Sequence, residues 1–451
     1  MIPRVFTIPA SLAFLPTLIR ALADGTLVPE FPGPDPLALS AATVYLPTRR
    51  AGRVAGELFL EALGRDVAVL PRFLALGDID EDEFAFSAAS GAASLELPSA
   101  MGALERRLLL ARLIGQWARS PELHGARGTP LVAGNPAAAL TLADELARLI
   151  DDMTTRQVPW HRLDELVPER FDPYWQLSLR FLQIARDAWP AILAERGLIE
   201  AAERRDRLLA AEALRLAEAP TGPVIAAGST GSMPATAALL TAIAALPNGA
   251  LVLPGLDTDL DRKSWECIGG RDEAPAHEAA APAAGHPQFA MHMLLRRIGM
   301  DREMVVSLGE PGEPRPRLVS EAFRPAPTTE LWTHRLDDRL LGEALAGVAV
   351  IEAANAEEEA NAIAVALREA IEPEGTRVEI KRFCLVENAD HRVNGLCHSV
   401  QLLEKGDDGG AGFGLWLPVR HDGAGDDLLR VGQPGVQSGV VPHEVGLCEA
   451  G

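Results

Sequence analysis

The chain has 451 residues, 48% of them hydrophobic, which allows two or three domains of about 150 residues with a sizeable core and excludes global disorder. A formal net charge of −21 excludes nucleic-acid binding through the overall field alone, so any such contact needs a local basic patch or a basic partner. The four cysteines, Cys267, Cys384, Cys397 and Cys448, have no C-x-x-C or zinc-finger spacing, which suits free thiols in a reducing cytoplasm.

The first 25 residues are largely apolar, but Pro9 and Pro16 interrupt them and Arg20 follows. A strand at Val5–Ile8 and a helix over 10–23 account for this stretch better than a signal peptide does. No apolar run approaches the roughly 18 residues needed to span a bilayer. A proline-rich loop (29–36) precedes a buried strand at 42–46, and Pro47-Thr48 opens a helix from Arg49 to about Leu63. Val67-Ala68-Val69-Leu70 reads as the next strand, and the acidic run 78–83 as a solvated loop. Short apolar strands alternating with helices predict a parallel α/β sheet over 1–98.

From 99 to 218 the pattern is helix after helix, an all-helical insertion. Leu104, Leu108, Ala111 and Gly115 share one face, as do Ala139, Leu142, Leu146 and Leu149, and Phe171 to Trp175 begins a further helix. The α/β pattern resumes over 219–340, with strands at 223–227 and 250–253. A Gly228-Ser229-Thr230-Gly231 turn leads into a helix start at Ser232-Met233-Pro234. Residues 263–286 read as a polar loop and 311–327 as a proline-rich connector. A second α/β domain begins at 345–375, with a strand at 348–351 and an acidic helix at 356–370. After 375 the alanine-rich composition stops, glycines crowd 406–425, and neither periodicity persists. The stretch 376–451 is expected to be an irregular, poorly folding tail; an out-of-frame translation or a divergent end fits it.

A motor ATPase needs a glycine-rich loop ending in Gly-Lys-Ser/Thr, so that backbone N–H groups and a lysine hold phosphates. The three lysines, Lys263, Lys381 and Lys405, do not follow glycine, and the first strand runs into Pro9-Ala10-Ser11-Leu12. The strand at 223–227 is followed by no carboxylate to hold magnesium. ATP hydrolysis is therefore not expected. Gly228, Ser229, Thr230 and Gly231 stand before a helix start, which attracts anions, so the turn is either a phosphate site or purely structural. Asp257, Asp259 and Asp261 alternate, yet Arg262 and Ile268 occupy the positions where a calcium loop wants glycine and glutamate, so no metal site is assigned. Thr48, Arg49, Arg50 and Arg53 form a basic group at a strand-to-helix turn, with Arg72 expected after the next strand. Loops at strand carboxyl ends are where parallel sheets place ligands, and these residues are candidates to hold nucleic-acid phosphates. His161 and His286 are isolated and read as structural. No nucleophile–base pair or nuclease-type acidic group stands out, so no catalytic residue is assigned.

Several segments in one order resemble AddB proteins of alphaproteobacteria. They are Leu46 to Arg53, Leu70-Pro71-Arg72 with Leu76 to Glu81, Ala227 to Thr236, Leu253 to Asp261, His286 to Phe289, and Glu357 to Arg368. The resemblance covers about residues 2–375. It implies a degenerate superfamily 1 helicase-like (RecA-like) domain in which Thr48 to Arg53 matches a DNA-contact turn and 228–235 falls where a helicase carries magnesium-holding acids. It also implies an AddA-type helicase–nuclease partner, double-stranded DNA ends and single-stranded DNA as ligands, and double-strand-break resection for recombination. The family's nuclease domain and its iron–sulfur cluster, held by four cysteines, belong to a later region, so no cofactor is expected on these residues. Two other readings stay open: a nucleotide-binding enzyme using Gly228 to Gly231 as an atypical phosphate loop, and a stand-alone interaction module.

Overall fold

The computed structural model describes residues 3–32, 37–64, 68–77, 97–119, 135–163, 173–218, 222–270, 281–310, 314–333 and 337–371, and four strands beyond them. The chain divides into two compact units, Met1–Ala346 and Gly347–Gly451. The acidic run 78–83 lies outside the described residues.

The first unit is built on a six-stranded sheet, parallel throughout. Its strands are β1 (Val5–Ile8), β2 (Thr43–Leu46), β3 (Arg72–Ala75), β4 (Val224–Ala227), β5 (Gly249–Pro254) and β6 (Val306–Ser307), in the order β3-β2-β4-β5-β1-β6. The inner strands β2, β4, β5 and β1 are buried on both faces, so they are almost continuously apolar, and the period of two sorts their residues into two cores. Phe6, Ile8, Val44, Leu46, Ile225 and Val252 pack with α1 (Phe14–Ala23) and α2 (Arg49–Leu63). Val5, Tyr45, Val224, Ala226, Leu251 and Leu253 face the other way. They pack with residues of the later helices α7 (Ala201–Glu218), α8 (Pro234–Ala245), α9 (Arg262–Gly269) and α10 (Phe289–Ile298). The chain steps from β1 to β2 to β3 in one direction and returns through β4 and β5 in the other. Right-handed crossovers then require helices on opposite faces. The reversal places switch points at the carboxyl ends of β2/β4 and of β5/β1, where doubly wound sheets hold ligands.

The helical stretch has its own core. Helices α3 (Ala103–Ala118), α4 (Pro136–Thr155), α5 (Pro173–Gln183) and α6 (Trp189–Arg196) surround Leu110, Ile114, Leu146, Ile150 and Trp189. The Trp117 and Phe181 rings add a tilted contact at 5.2 Å. The inward face of α3 is Arg106, Leu110, Ile114 and Ala118. Leu104 and Leu108, which share the face expected from periodicity, are 70% and 54% exposed. The cause is Arg106, a charge on the buried stripe. Its guanidinium pairs with Asp151 at 2.9 Å and lies 3.0 Å from Glu200, and Glu200 also accepts the indole N–H of Trp189. Helix α7 ties this stretch to the sheet: the Tyr45 hydroxyl donates to Glu212 at 2.5 Å, and Arg215 grips the same carboxylate with two bonds of 2.7 Å. Burial first, then the Glu212 charge, pushes the Tyr45 phenol well above its usual range.

Four local expectations are corrected. No strand forms over 68–70; β3 starts at Arg72, because Pro71 has no N–H to give and the ladder opens with the Arg72 N–H donating to Ala42 O. The expected loop after 262 contains α9: Asp261 caps it by accepting from Ser264 N, and Trp265 and Ile268 share its buried face. The proline-rich connector carries α11 (Arg315–Ala322) and a 3-10 helix over Ala326–Thr333, with Pro316 in the first turn of α11, where a missing N–H costs nothing. The first helix begins at Phe14 rather than Ala10.

The second unit holds α13 (Ala356–Ile371), which follows α12 (Asp338–Ala344) of the first unit. The expected strand at 348–351 is absent. No described strand pairs with it, and Val350 and Ile351 are exposed. The tail, expected to be irregular, contains two antiparallel pairs, Phe383–Cys384 with Ser399–Val400 and Gly414–Arg420 with Asp426–Gly432. Among the described residues no helix is long and apolar enough to cross a membrane.

Candidate nucleic-acid interface

The candidate site is the carboxyl edge of the sheet. Thr48 is the N-cap of α2, its hydroxyl accepting from Ala51 N at 3.1 Å. The same hydroxyl keeps its own proton to donate outward. Thr48, Arg49, Arg50 and Arg53 are all exposed, and the first turn of α2 contains no acidic residue. Arg50 and Arg53 form no ion pair with the described residues. The positive end of the helix dipole and three guanidinium groups thus coincide at one place on an acidic protein.

The loops of neighbouring strands converge there. The Gly77 N–H after β3 donates to Pro47 O at 3.0 Å. After β4, Gly228 has φ 78° and sits so close to the Pro47 ring and to Phe14 that a Cβ would meet both within 3.3 Å. Gly231, with φ 68°, lies equally close to Leu294 and Leu240. The Gly228–Gly231 turn is therefore adjacent to the basic helix start. Its Gly228 N–H is engaged by Val252 O at 2.9 Å and its Gly231 N–H by the Ser229 hydroxyl at 3.3 Å. Arg72 is elsewhere. As the first residue of β3, opposite Thr43, it stands at the amino end of the sheet, so the expected five-residue basic group separates into four residues at one edge and one at the other.

The loop after β5 is the most heavily fixed part of this edge, and the residues that fix it are not among those expected from the sequence. Thr7, buried in β1, accepts from Leu256 N at 3.0 Å. The Gln288 side chain accepts from Asp257 N at 3.1 Å and donates to Gly255 O at 3.0 Å. Arg302 donates to Asp257 O while its guanidinium lies 4.9 Å from the Trp265 ring. Asp257 accepts from Ser320 at 3.0 Å. Asp261 accepts from Ser264 and is paired with buried Arg324, which also holds Glu321. Burial opposes ionisation of Asp261, but bonds from the Ser264 backbone and from Arg324 outweigh it and hold the carboxyl at about 2. His286 accepts from Gln288 N and reaches Phe323 O at 2.7 Å, which fixes its proton on Nε2. His292 rests against Gly269 and Trp265; burial first, then Arg296 and Arg302, keep its imidazole below the usual range. The His286-Pro287-Gln288 run was the available signal: a glutamine and a histidine at a helix start, both able to serve backbone groups. Among the described residues no group of three or more His, Cys, Asp or Glu is placed to hold a metal ion. Compared with known proteins, the chain matches no family model and no curated protein.

Proposed function

We propose that this chain is a non-catalytic, DNA-contacting scaffold of the AddB kind, whose sheet is a degenerate RecA-like motor domain and whose partner is an AddA-type helicase–nuclease. The observation that carries the reading is the basic start of α2, exposed at the carboxyl edge of a doubly wound sheet in a chain of net charge −21. Arg49, Arg50 and Arg53 supply charge to backbone phosphates, and the Thr48 hydroxyl donates to a phosphate oxygen. The apolar filling of the neighbouring crevice supports the absence of ATP chemistry. Where a phosphate loop would wrap an anion after β1, Ala10 lies against Gly255, Leu12 against Gly309 and Phe14 against Gly228. The Gly228 and Gly231 amides already have acceptors, which weighs against the atypical phosphate loop.

The reading is tested by mixing the purified chain with an AddA-type subunit and DNA ends. Co-elution of the two proteins with DNA, lost when Arg49 and Arg50 are changed to glutamate, supports it. Tight ATP binding by the chain alone, or failure to associate with either partner or DNA, overturns it.

A further inference from the structure

Helix α10 lays one imidazole across α9. A Cβ added at Gly269 would collide with the Cε1 edge of His292, so that edge of the ring rests on backbone that only a glycine leaves open. One turn earlier on α9, the Trp265 ring stands 4.9 Å from the imidazole, tilted by 48°. His292 Nδ1 is buried and, among the described residues, has no hydrogen-bond partner. Neutral imidazole fits this place, with the proton on Nε2 and only a lone pair at Nδ1. An imidazolium carries an N–H at both nitrogens and would bury a donor that has no acceptor, which folded proteins avoid.

The surroundings favour the same form. Arg296, one turn further along α10, and Arg302, in the 3-10 turn Arg302–Met304, are both cations. Arg302 already lies 4.9 Å from the Trp265 ring, so a charged His292 would set a second cation beside one indole. Glu266 of α9 is the carboxylate that pulls the other way, and Arg262 engages it at 2.9 Å. Helix α8, which also packs on α10, carries no charged side chain. Burial first, then Arg296 and Arg302, hold the imidazole below its ordinary range.

Helix α9 is also what holds the connector. Ser264 in its first turn, fully buried, bonds the Thr328 hydroxyl at 2.8 Å and receives Arg324 at 2.6 Å. Arg302, beside Trp265, donates to Asp257 O in the loop after β5. A ring driven off Gly269 therefore acts on α9, the connector and that loop together.

We propose that His292 is a pH-sensitive latch: neutral, it holds α9 on α10, and on protonation it leaves Gly269, so that α9 and the connector loosen while the sheet stays folded. The latch is independent of the DNA-contact reading above. In the unfolded chain this imidazole takes up its proton near 6.5, in the folded protein only at lower pH. The stability that the neutral ring contributes is thus complete above 6.5 and is lost as the pH falls from there through the folded value.

The test is hydrogen exchange of the full chain at about pH 7.5 and about pH 5.5, on either side of the ordinary imidazole value, with intrinsic rates divided out. Amides of α9 and the connector are expected to exchange faster at the lower pH, by up to about tenfold per pH unit, the most that one proton can contribute. Amides of β1 and β5 keep their protection. His292→Leu, which has no proton to take up, is expected to remove the acceleration, and His292→Gln, uncharged and polar, to remove it as well should the leucine variant not fold. In a titration followed by magnetic resonance, the imidazole signal missing from His292→Gln is expected to move below 6.5. Absence of acceleration in the wild type, equal acceleration in a folded variant, loss of protection across β1 and β5 at the same time, or a His292 signal titrating at or above 6.5 overturns the latch.

Discussion

Asp261 shows how much a single side chain does at this edge: it starts α9, pairs with a buried arginine and so fixes the proline-rich connector. Replacing it with alanine removes a helix cap, about 1 kcal/mol by itself, and also takes a partner from Arg324. Thermal unfolding of Asp261→Ala should therefore show a loss of at least about that size. The carboxyl also makes stability depend on pH. In the unfolded chain it takes up a proton near 3.8, in the folded protein near 2, so its contribution is complete above the first value and disappears between the two as acid is added. The Asp261→Asn variant should lack that component of acid unfolding; an identical acid profile in the variant would contradict the assignment.

Among the elements, those legible in the sequence were the ones whose local signals agree with their burial. Val5–Ile8 and Thr43–Leu46 are apolar runs buried on both faces, and α2 has a threonine cap at one end and Gly64 in the left-handed region at the other. Those that escaped it carry a polar residue on an inward face or a proline in an unexpected role. Arg106 masks the true stripe of α3, Pro71 delays the start of β3 to Arg72, and polar composition hides α9. Half of the candidate site was legible for the same reason. Thr48 to Arg53 follows a plain strand-turn-helix signal, whereas Gln288, Ser320 and Arg324 act through contacts 31 to 63 residues away along the chain. Arg106 also gives a prediction for the helical core. Arg106→Ala leaves the buried Glu200 carboxylate without its main counter-charge, and removal of one partner of such a pair costs about 3–5 kcal/mol. Chemical denaturation should show this loss, and the double variant Arg106→Met with Glu200→Gln should recover much of it; full stability in Arg106→Ala would contradict the role given to the pair.

At the scale of the whole molecule, a parallel sheet normally offers its carboxyl edge to a ligand, and here one part of that edge is filled by side chains and another part carries exposed charge. The β5/β1 switch point is occupied by the chain's own apolar side chains, while the β2/β4 switch point presents guanidinium groups. Steady-state turnover of ATP by the chain alone should accordingly be absent with or without DNA, and measurable hydrolysis abolished by substitutions at Gly228 or Gly231 would revive the phosphate-loop reading. The acidic remainder of the protein sharpens the role of the basic edge, since any DNA contact must be local and must displace counterions there. The most direct measurement is the salt dependence of single-stranded DNA binding by the full chain and by the Arg49→Glu/Arg50→Glu variant. The account predicts weaker binding and a salt slope lower by about two in the variant, about one for each lost phosphate contact. Equal affinity and equal slope in the two proteins would contradict it.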